Sequence, residues 1–240
     1  MRVALVTGAS RGLGRALAVG LADLGWSVVI DARHADERAE AEAEVLEHLA
    51  PGGSVIALAG DVSDAGHRRD LVAAAARLGG LDLLVNNASD LGATPLPSVA
   101  AYPLDALRRV FEVNVVAPVA LVQEAASLLR LSAAPAVVNV TSDASVEPYE
   151  GWGGYGSSKA ALDHVGAVLA AEEPGIAVWT VDPGDMRTRM HQDAFPGEDI
   201  SDRPLPETVV PALLSMIERR PSSGRYRATD FEPSATTAQR

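Results

Sequence analysis

The chain opens with Val3-Ala-Leu-Val-Thr-Gly-Ala-Ser-Arg-Gly-Leu-Gly14, a short apolar run followed by a glycine-rich loop. Leucines then fall on one side of a predicted helix, at Leu13, Leu17, Leu21 and Leu24. A strand, a glycine loop and a helix N-terminus in this order form an anion site, because free N–H groups and the helix dipole favour phosphate. The stretch therefore predicts a β-α-β unit that binds a dinucleotide. A plain strand-to-helix turn is the alternative.

Short apolar runs alternate with helical patterns along the rest of the chain. The further predicted strands are Val28–Ile30, Val55–Ala59, Leu81–Val85, Ala136–Val140, Ile176–Val181 and Gly224–Ala228. The predicted helices are Ala35–Leu49, Asp64–Leu78, Leu104–Leu129, a helix that starts near Tyr155 and ends at Glu172, and Glu207–Arg219. This alternation predicts an α/β fold with a doubly wound, parallel, seven-stranded, Rossmann-like sheet in a single domain over residues 1–231.

Two segments lack this periodicity. Residues 185–206 contain several prolines and predict a mobile flap over the site, in which His191 is expected to be a surface residue. The tail from Glu232 to Arg240 is expected to be disordered.

Composition narrows the class of protein. The chain has 240 residues and 48% hydrophobic residues, enough for one substantial core. Its formal net charge of -12 argues against binding to nucleic acid or to an anionic membrane. The absence of cysteine excludes disulfides and thiolate-bound zinc, and no metal site is predicted. No uninterrupted apolar run has the length of a membrane span. These features fit a cytoplasmic enzyme.

Tyr155-Gly-Ser-Ser-Lys159 is the stretch that suggests chemistry. A spacing of four residues puts Tyr155 and Lys159 on one helical face. An ammonium beside a phenol stabilises the phenolate, so the pKa of Tyr155 is expected to fall toward the range of a general acid or base. Ser142 follows the fifth predicted strand. The alternative is that a Tyr-x-x-x-Lys pattern occurs by chance on a core helix.

Other polar residues follow the predicted strands, where ligands bind in open parallel sheets. These groups are Asp31-Ala32-Arg33, Gly60-Asp61-Val62 and Asn86-Asn87-Ala88-Ser89. Asn114 lies within an apolar helical pattern, where it is either a structural brace or part of a water-linked proton path. The loop from Asp90 to Pro103 either borders a substrate pocket or is an ordinary connector.

In their order and separation, these motifs resemble the short-chain dehydrogenase/reductase family along nearly the whole chain. The matching residues are Thr7, Gly8, Gly12, Gly14, Asp61, Asn86-Asn87-Ala88, Asn114, Ser142, Tyr155, Lys159 and Pro183-Gly184. The family commonly has glycine where Ser89 stands, a departure that affects local geometry.

The resemblance implies a catalytic tetrad of Asn114, Ser142, Tyr155 and Lys159. Ser142 would hydrogen-bond the substrate oxygen, and Tyr155 would exchange a proton with that oxygen as hydride moves at carbon. Lys159 would lower the pKa of Tyr155 and hold the nicotinamide ribose. Asn114 would support a water that connects the lysine to solvent.

The resemblance also implies a set of cofactor contacts. They are Gly8, Ser10, Arg11, Gly12, Leu13, Gly14, Arg33, Asp61, Val62, Asn87, Ala88, Tyr155, Lys159, Pro183, Gly184, Met186 and Thr188. The family's acidic determinant for NAD corresponds to Ala32, whereas Arg33 and Arg11 suit the 2′-phosphate of NADP. Asp31 lies one position early and should point to the other face of its strand. NADP is therefore expected in preference to NAD.

The expected function is that of an NADP(H)-dependent oxidoreductase acting on a small carbonyl or secondary alcohol, as a homodimer or homotetramer. One alternative is a non-catalytic dinucleotide-binding regulatory protein. Another is a 3-oxoacyl-carrier reductase, which the acidic residues expected at the rim disfavour because a carrier protein is itself acidic. Those rim residues are Asp143, Glu147, Glu150, Glu172, Glu173 and Asp185. An epimerase or dehydratase that recycles its hydride is a third alternative.

Overall fold

The computed structural model describes residues 1–231, so the expectation about the tail concerns residues outside the described range. The strands are β1 (Val3–Val6), β2 (Ser27–Ala32), β3 (Val55–Ala59), β4 (Leu83–Asn86), β5 (Ala136–Val140), β6 (Ala177–Asp182) and β7 (Gly224–Arg227). The helices are α1 (Gly12–Asp23), α2 (Ala35–Glu47), α3 (Ala65–Arg77), α4 (Leu104–Phe111), α5 (Ala117–Leu131), α6 (Gly153–Glu172), α7 (Arg189–Ala194) and α8 (Pro206–Arg219).

All seven strands pair in parallel in the order β3-β2-β1-β4-β5-β6-β7. The predicted doubly wound, Rossmann-like α/β sheet is confirmed. The strand order reverses between β1 and β4, and the carboxyl ends of the strands diverge there to leave a crevice. The glycine loop after β1 lies at this point.

Helices cover both faces of the sheet, so its central strands are buried on both sides. On one face α1 packs against α8, and their leucines meet Trp179 from β6. On the other face α3 and α5 pack together over Leu84 and Val137. Burial on both faces explains why β1 and β4 are continuous apolar runs in the sequence.

The predicted helix Leu104–Leu129 is not one regular helix. It comprises α4, a π-helical turn at Glu112–Val116 and α5. A π turn inserts one residue into the helical repeat and so re-aims the side chains it carries. Asn114 lies in this turn and is fully buried.

Leu104–Leu131 is the one stretch among residues 1–231 whose length and composition would allow a helix to cross a membrane. In the fold this stretch covers the sheet instead. Leu121, Ala125 and Leu129 pack into the core beneath it, alongside residues of α3.

The segment 185–206 is more ordered than its composition suggested. Thr188 caps α7 by accepting a hydrogen bond from the His191 N–H at 3.2 Å. The Arg187 N–H donates to the carbonyl of Pro204 at 2.8 Å and joins the two ends of the segment. We call residues 185–206 the flap from here on.

Candidate active site

A crevice of about 640 Å³ runs along the carboxyl ends of the strands, from the tip of β2 to the flap. Its volume falls within the usual range for ligand pockets. Most of the residues predicted for the site line it. They are Gly8, Ser10, Arg11, Gly12, Leu13, Arg33, Asp61, Val62, Asn87, Ala88, Ser142, Tyr155, Lys159, Pro183, Gly184, Met186 and Thr188. Gly14 and Asn114 lie behind its wall and act on it through neighbours.

The glycine loop is built for close backbone approach. Gly12 has φ +57°, a left-handed conformation that favours glycine, and a Cβ there would lie 3.5 Å from Thr188 of the flap. A Cβ on Gly14 would lie 2.4 Å from the amide nitrogen of Asn87. That amide donates to the carbonyls of Thr7 and Gly8 at 2.8 and 3.1 Å. The loop is therefore fixed to the end of β4.

Asp31 has a structural partner instead of facing the crevice as a free carboxylate. It is 2% exposed, and its Oδ1 accepts the Gly8 N–H at 2.5 Å. His67 Nε2 lies 3.1 Å from the other carboxylate oxygen. Asp31 thus anchors the glycine loop to β2 and to α3, in agreement with the expectation that it points away from the ribose position.

The two arginines predicted for a 2′-phosphate differ in their surroundings. Arg11 donates to Glu37 Oε1 at 3.0 Å, and the Ser10 hydroxyl donates to Glu37 Oε2 at 3.2 Å. Arg33 lines the same end of the crevice, is exposed, and makes no ion pair with any residue in the range 1–231. One guanidinium is therefore free and the other already has a carboxylate partner.

Asp61 is held in its charged form. Burial alone would raise the pKa of its carboxyl, but hydrogen bonds from Ser63 and Arg109 outweigh burial and lower that pKa to about 2. Arg109 donates to Asp61 at 2.6 Å and its Nε lies 3.5 Å from Asp90. This ion-pair cluster forms the wall where the resemblance placed adenine.

Tyr155 and Lys159 lie on one face of α6, as their spacing predicted, and both are buried. The Lys159 ammonium donates to the carbonyl of Val140 at 2.8 Å and lies 5.5 Å from the centroid of the Tyr155 ring. The ammonium is thus near the phenol ring but bonded to the end of β5.

The expected fall in the pKa of Tyr155 is wrong, because its pKa is raised in this structure. Burial raises the pKa of the phenol because it disfavours the phenolate, and the carboxylates of Asp143 and Asp182 raise it further. A hydrogen bond with Ser89 acts in the opposite direction. Burial likewise lowers the pKa of Lys159 to about 8. Desolvation outweighs the attraction on which the sequence argument rested.

Ser142 is positioned by the short 3₁₀ turn Asp143–Ser145 that follows β5. Its hydroxyl donates to Asp143 Oδ1 at 2.9 Å and accepts the Ala144 N–H at 3.1 Å. Asp143 is held in turn by the Tyr149 hydroxyl, which donates to it at 2.9 Å. These contacts aim the Ser142 hydroxyl along the wall that also carries Tyr155.

The Asn114 side chain braces two parts of the site, and its part in a water-linked proton path stays a prediction. Its amide nitrogen donates to the Asp90 carbonyl and to the Ser158 hydroxyl, each at 2.9 Å. Its oxygen accepts the Asp90 N–H at 2.7 Å and the Ser89 hydroxyl at 3.2 Å. The side chain connects the loop after β4 to α6. Through Ser89 it also reaches the Tyr155 hydroxyl.

The flap end of the crevice is apolar and aromatic. Trp152 packs edge-on to Tyr155 with ring centroids 5.7 Å apart, and its ring lies 5.9 Å from that of Phe195. His191 is not the surface residue expected, because its side chain is only 10% exposed and packs 4.9 Å from the Phe195 ring. The loop Asp90–Pro103 borders this end through Leu91, Gly92 and Thr94.

The residues fit a nicotinamide dinucleotide. Arg11 is the N-cap residue of α1, and its side chain makes no capping hydrogen bond, so it leaves this helix N-terminus available to a phosphate. At Gly8 and Gly14 a Cβ would collide with Ala88 and Asn87, so glycine is what lets the loop pack this closely on the end of β4. From this end, the crevice continues past the strand ends to Tyr155 and Lys159.

The sheet, its switch point and the crevice define a Rossmann-like α/β protein whose ligand site lies at the strand carboxyl ends. The family model described as short chain dehydrogenase matches residues 2–199. The chain belongs to the short chain dehydrogenase family.

Known proteins resemble this chain in both sequence and structure. It is 38% identical over 197 residues to the rhamnolipids biosynthesis 3-oxoacyl-[acyl-carrier-protein] reductase of Pseudomonas aeruginosa, covering 79% of this chain and 74% of that one. A short chain dehydrogenase from Pseudomonas syringae superposes with a TM-score of 0.86 at 31% identity, over 95% of this chain and 94% of that one. One from Shigella flexneri, complexed with NADP, has a TM-score of 0.86 at 27% identity, over 95% and 97%.

Glu37 and Arg109 line the crevice but were not predicted for the site. Glu37 lies in an alanine- and glutamate-rich helix, and nothing in the local pattern separates it from its neighbours. Arg109 lies on α4, far in sequence from its partner Asp61. A contact between such distant residues follows from the fold and leaves no periodic signal.

Proposed function

We propose that this chain is an NADP(H)-dependent oxidoreductase that transfers a hydride between nicotinamide and a small carbonyl or secondary alcohol. The observation that carries the proposal is that Ser142, Tyr155 and Lys159 line one crevice with the glycine loop. A phenol, a hydroxyl and an ammonium at the far end of a dinucleotide-sized crevice are the groups that carbonyl reduction requires.

The chain's own residues would bind the substrate oxygen and exchange a proton with it. When bound, the cofactor supplies or accepts the hydride. The Ser142 hydroxyl, which donates to Asp143 in this structure, would turn its single proton to the carbonyl oxygen, and the Tyr155 hydroxyl gives that oxygen a proton as negative charge develops on it. Burial keeps the phenol protonated and therefore ready to act as an acid. Lys159 supplies positive charge beside the phenol, and Asn114 fixes the loop that carries Ser89.

The preference for NADP over NAD rests on charge. Ala32 offers no carboxylate at the tip of β2, and Arg33 lines the crevice immediately after it without an ion-pair partner among residues 1–231. A guanidinium binds a phosphate dianion through paired, charge-assisted hydrogen bonds. The NADP complex of the Shigella flexneri relative supports the same choice.

The aromatic end of the crevice favours an apolar substrate. Trp152 and Leu91 line the crevice beside Tyr155, with Phe195 packed in the same apolar cluster, and they would exclude water from the reacting carbonyl. We propose that the chain works as one cofactor-binding and catalytic unit in which the flap covers the substrate. We also propose a cytoplasmic homodimer or homotetramer, as is usual in the family.

Substituting Tyr155→Phe tests the proposal directly, because the substitution removes one hydroxyl and keeps the ring. NADPH oxidation with a panel of apolar ketones and aldehydes should fall by about 10³-fold or more, as expected for loss of a general acid and its hydrogen bond. Nucleotide binding measured by fluorescence should change little, which controls for folding. Equal activity of both proteins would eliminate Tyr155 as the acid. Tight NADPH binding without turnover on any substrate would favour the regulatory protein instead.

A 3-oxoacyl-carrier reductase is the second candidate, favoured by the name of the Pseudomonas aeruginosa relative. Two arginines of the flap, Arg187 and Arg189, line the crevice and are exposed, so basic groups are available near the entrance. The acidic Glu147, Glu150 and Asp185 are exposed as well and oppose a negatively charged carrier.

A further inference from the structure

Glu37 occupies a position that the proposed function leaves unexplained. It lies in the first turn of α2, yet its carboxylate turns to the glycine loop after β1. One oxygen accepts from Arg11 at 3.0 Å and the other from the Ser10 hydroxyl at 3.2 Å. Both partners and Glu37 itself line the crevice. A carboxylate therefore stands at the end of the crevice where the adenosine ribose would lie.

The charged side chains at this end of the crevice do not all favour a bound phosphate. Arg33 is the guanidinium there without an ion pair to residues 1–231, whereas Arg11 is already neutralised by Glu37. The side chains of Arg11 and Glu37 are 44% and 30% exposed, so the pair is solvated and can open. Such a pair contributes only about 0–1 kcal/mol, and binding of another anion can displace it.

We propose that Glu37 determines how strongly the chain discriminates between NADP and NAD, an inference that rests on the proposed function. A 2′-phosphate must displace Glu37 from Arg11 or remain beside a like charge, and both lower its affinity. A ribose 2′-hydroxyl can instead donate a hydrogen bond to the carboxylate. Glu37 thus weakens NADP binding and supports NAD binding, although it lies outside the tip of β2 where the sequence placed the determinant.

The test compares two small nucleotides that differ by the 2′-phosphate alone, adenosine 2′,5′-bisphosphate and adenosine 5′-monophosphate. Their binding to the full chain is measured by calorimetry at low ionic strength, where solvated charges are least screened. Glu37→Gln should tighten the bisphosphate by about three- to ten-fold, the range expected for removing one nearby like charge. Binding of the monophosphate should weaken or stay the same. An unchanged affinity ratio, or an equal gain for both nucleotides, would overturn the inference.

Glu44→Gln is the matched control. Glu44 lies on the same helix, pairs with Arg15 of α1 and does not line the crevice. The substitution removes the same charge and an equivalent contact between α1 and α2. It should leave the affinity ratio within about two-fold of wild type, since a distant solvated charge is screened. A shift equal to that of Glu37→Gln would show that net charge alone is responsible and would overturn the inference.

A double-mutant cycle with Arg11→Gln asks whether Glu37 acts through Arg11. The gain in bisphosphate affinity from Glu37→Gln should shrink toward one-fold once Arg11 is absent. A gain that persists in full would refute action through Arg11. Failure of the folded wild-type chain to bind either nucleotide would refute dinucleotide binding itself and the inference with it, a result distinct from binding with an unchanged ratio.

Discussion

At the residue scale, Tyr155 and Lys159 show burial outweighing a favourable neighbour. Their spacing predicts one helical face, and α6 provides it. The phenol does not become more acidic as predicted. The Lys159 ammonium donates to the Val140 carbonyl, and both the ammonium and the phenol are removed from water. The spacing of a motif predicts which side chains share a helical face. The pKa of each group depends instead on how far the whole fold removes it from water.

Lys159→Met should make the pH dependence of folding visible. Burial lowers the folded-state pKa of Lys159 to about 8 from its ordinary value of 10.5, so the unfolded chain binds more protons between these values. The cost of burying the ammonium is fully present below pH 8 and disappears as pH rises to 10.5. Wild type should therefore gain about 3 kcal/mol of unfolding free energy relative to Lys159→Met over that interval, at about 1.4 kcal/mol per pKa unit.

Urea unfolding of both proteins at pH 7.5, 9 and 10.5 measures this difference. Comparing the two proteins cancels the ionisation of groups that they share, including Tyr155. A constant difference across the pH range would mean that Lys159 is not desolvated in the folded chain.

At the element scale, the position of α6 depends on Gly156 having no side chain. A Cβ on Gly156 would lie 2.5 Å from the Ala144 carbonyl oxygen in the 3₁₀ turn beside Ser142. This close approach places Tyr155 and Ser142 on one wall of the crevice. A glycine next to Tyr155 in the sequence indicates none of this, since the turn it meets is twelve residues away.

Gly156→Ala should separate α6 from that turn. The added methyl group meets backbone, which cannot rotate away, so we expect a loss of about 1–3 kcal/mol of unfolding free energy. Carbonyl reduction should fall further than stability alone explains, because Tyr155 and Ser142 move apart. Urea unfolding and kcat with NADPH measure the two effects.

Gly175→Ala provides the control for this experiment. Gly175 follows the same helix, and a Cβ there would have no atom within 4 Å. Its stability and kcat should stay close to wild type. Equal behaviour of the two variants would show that the contact of α6 with the turn is unimportant.

The predictability of the elements follows from their burial. The strands were predicted to within two residues. For the central strands the reason is that a parallel sheet covered on both faces needs continuous apolar runs, whereas the edge strand β7 is largely exposed. The six-residue helix α7 and the π turn at Glu112–Val116 were missed. A short helix depends on its Thr188 cap and on packing, and a π turn keeps the same apolar residues while changing their direction.

At the scale of the whole molecule, the net charge of -12 bears on the choice of substrate. Two acidic proteins repel at low ionic strength, and salt screens the repulsion. We expect the same 3-oxoacyl group to be reduced no faster on an acyl-carrier protein than on a small thioester at low salt. Added salt should raise kcat/KM for the carrier-linked substrate and leave that of the thioester nearly unchanged.

The opposite salt dependence would support the carrier reductase. Arg187→Gln combined with Arg189→Gln then tests the docking groups, because both arginines belong to the flap, are exposed and line the crevice. Carrier-linked activity that falls in this variant while thioester activity stays constant would contradict our preference for a small free substrate.

The candidate site was predictable where its residues follow strands in sequence. The groups after β1, β4, β5 and β6 all reach the crevice, because parallel strands bring their carboxyl ends to one edge. What escaped were partners contributed by helices. Glu37 lies 26 residues from its partner Arg11, and Arg109 lies 48 residues from its partner Asp61. Only the packing of α2 and α4 brings these pairs together.

The buried Asp31 limits how the cofactor preference of this chain can be redesigned. Its carboxylate fastens the glycine loop through Gly8 and touches His67, so any exchange there would loosen the loop before altering selectivity. An engineer should keep Asp31 unchanged and introduce acidity at the neighbouring Ala32, where the strand meets the open end of the crevice. Asp31 would thus stay as the fixed anchor of the glycine loop, and position 32 would be the one varied to change the cofactor preference.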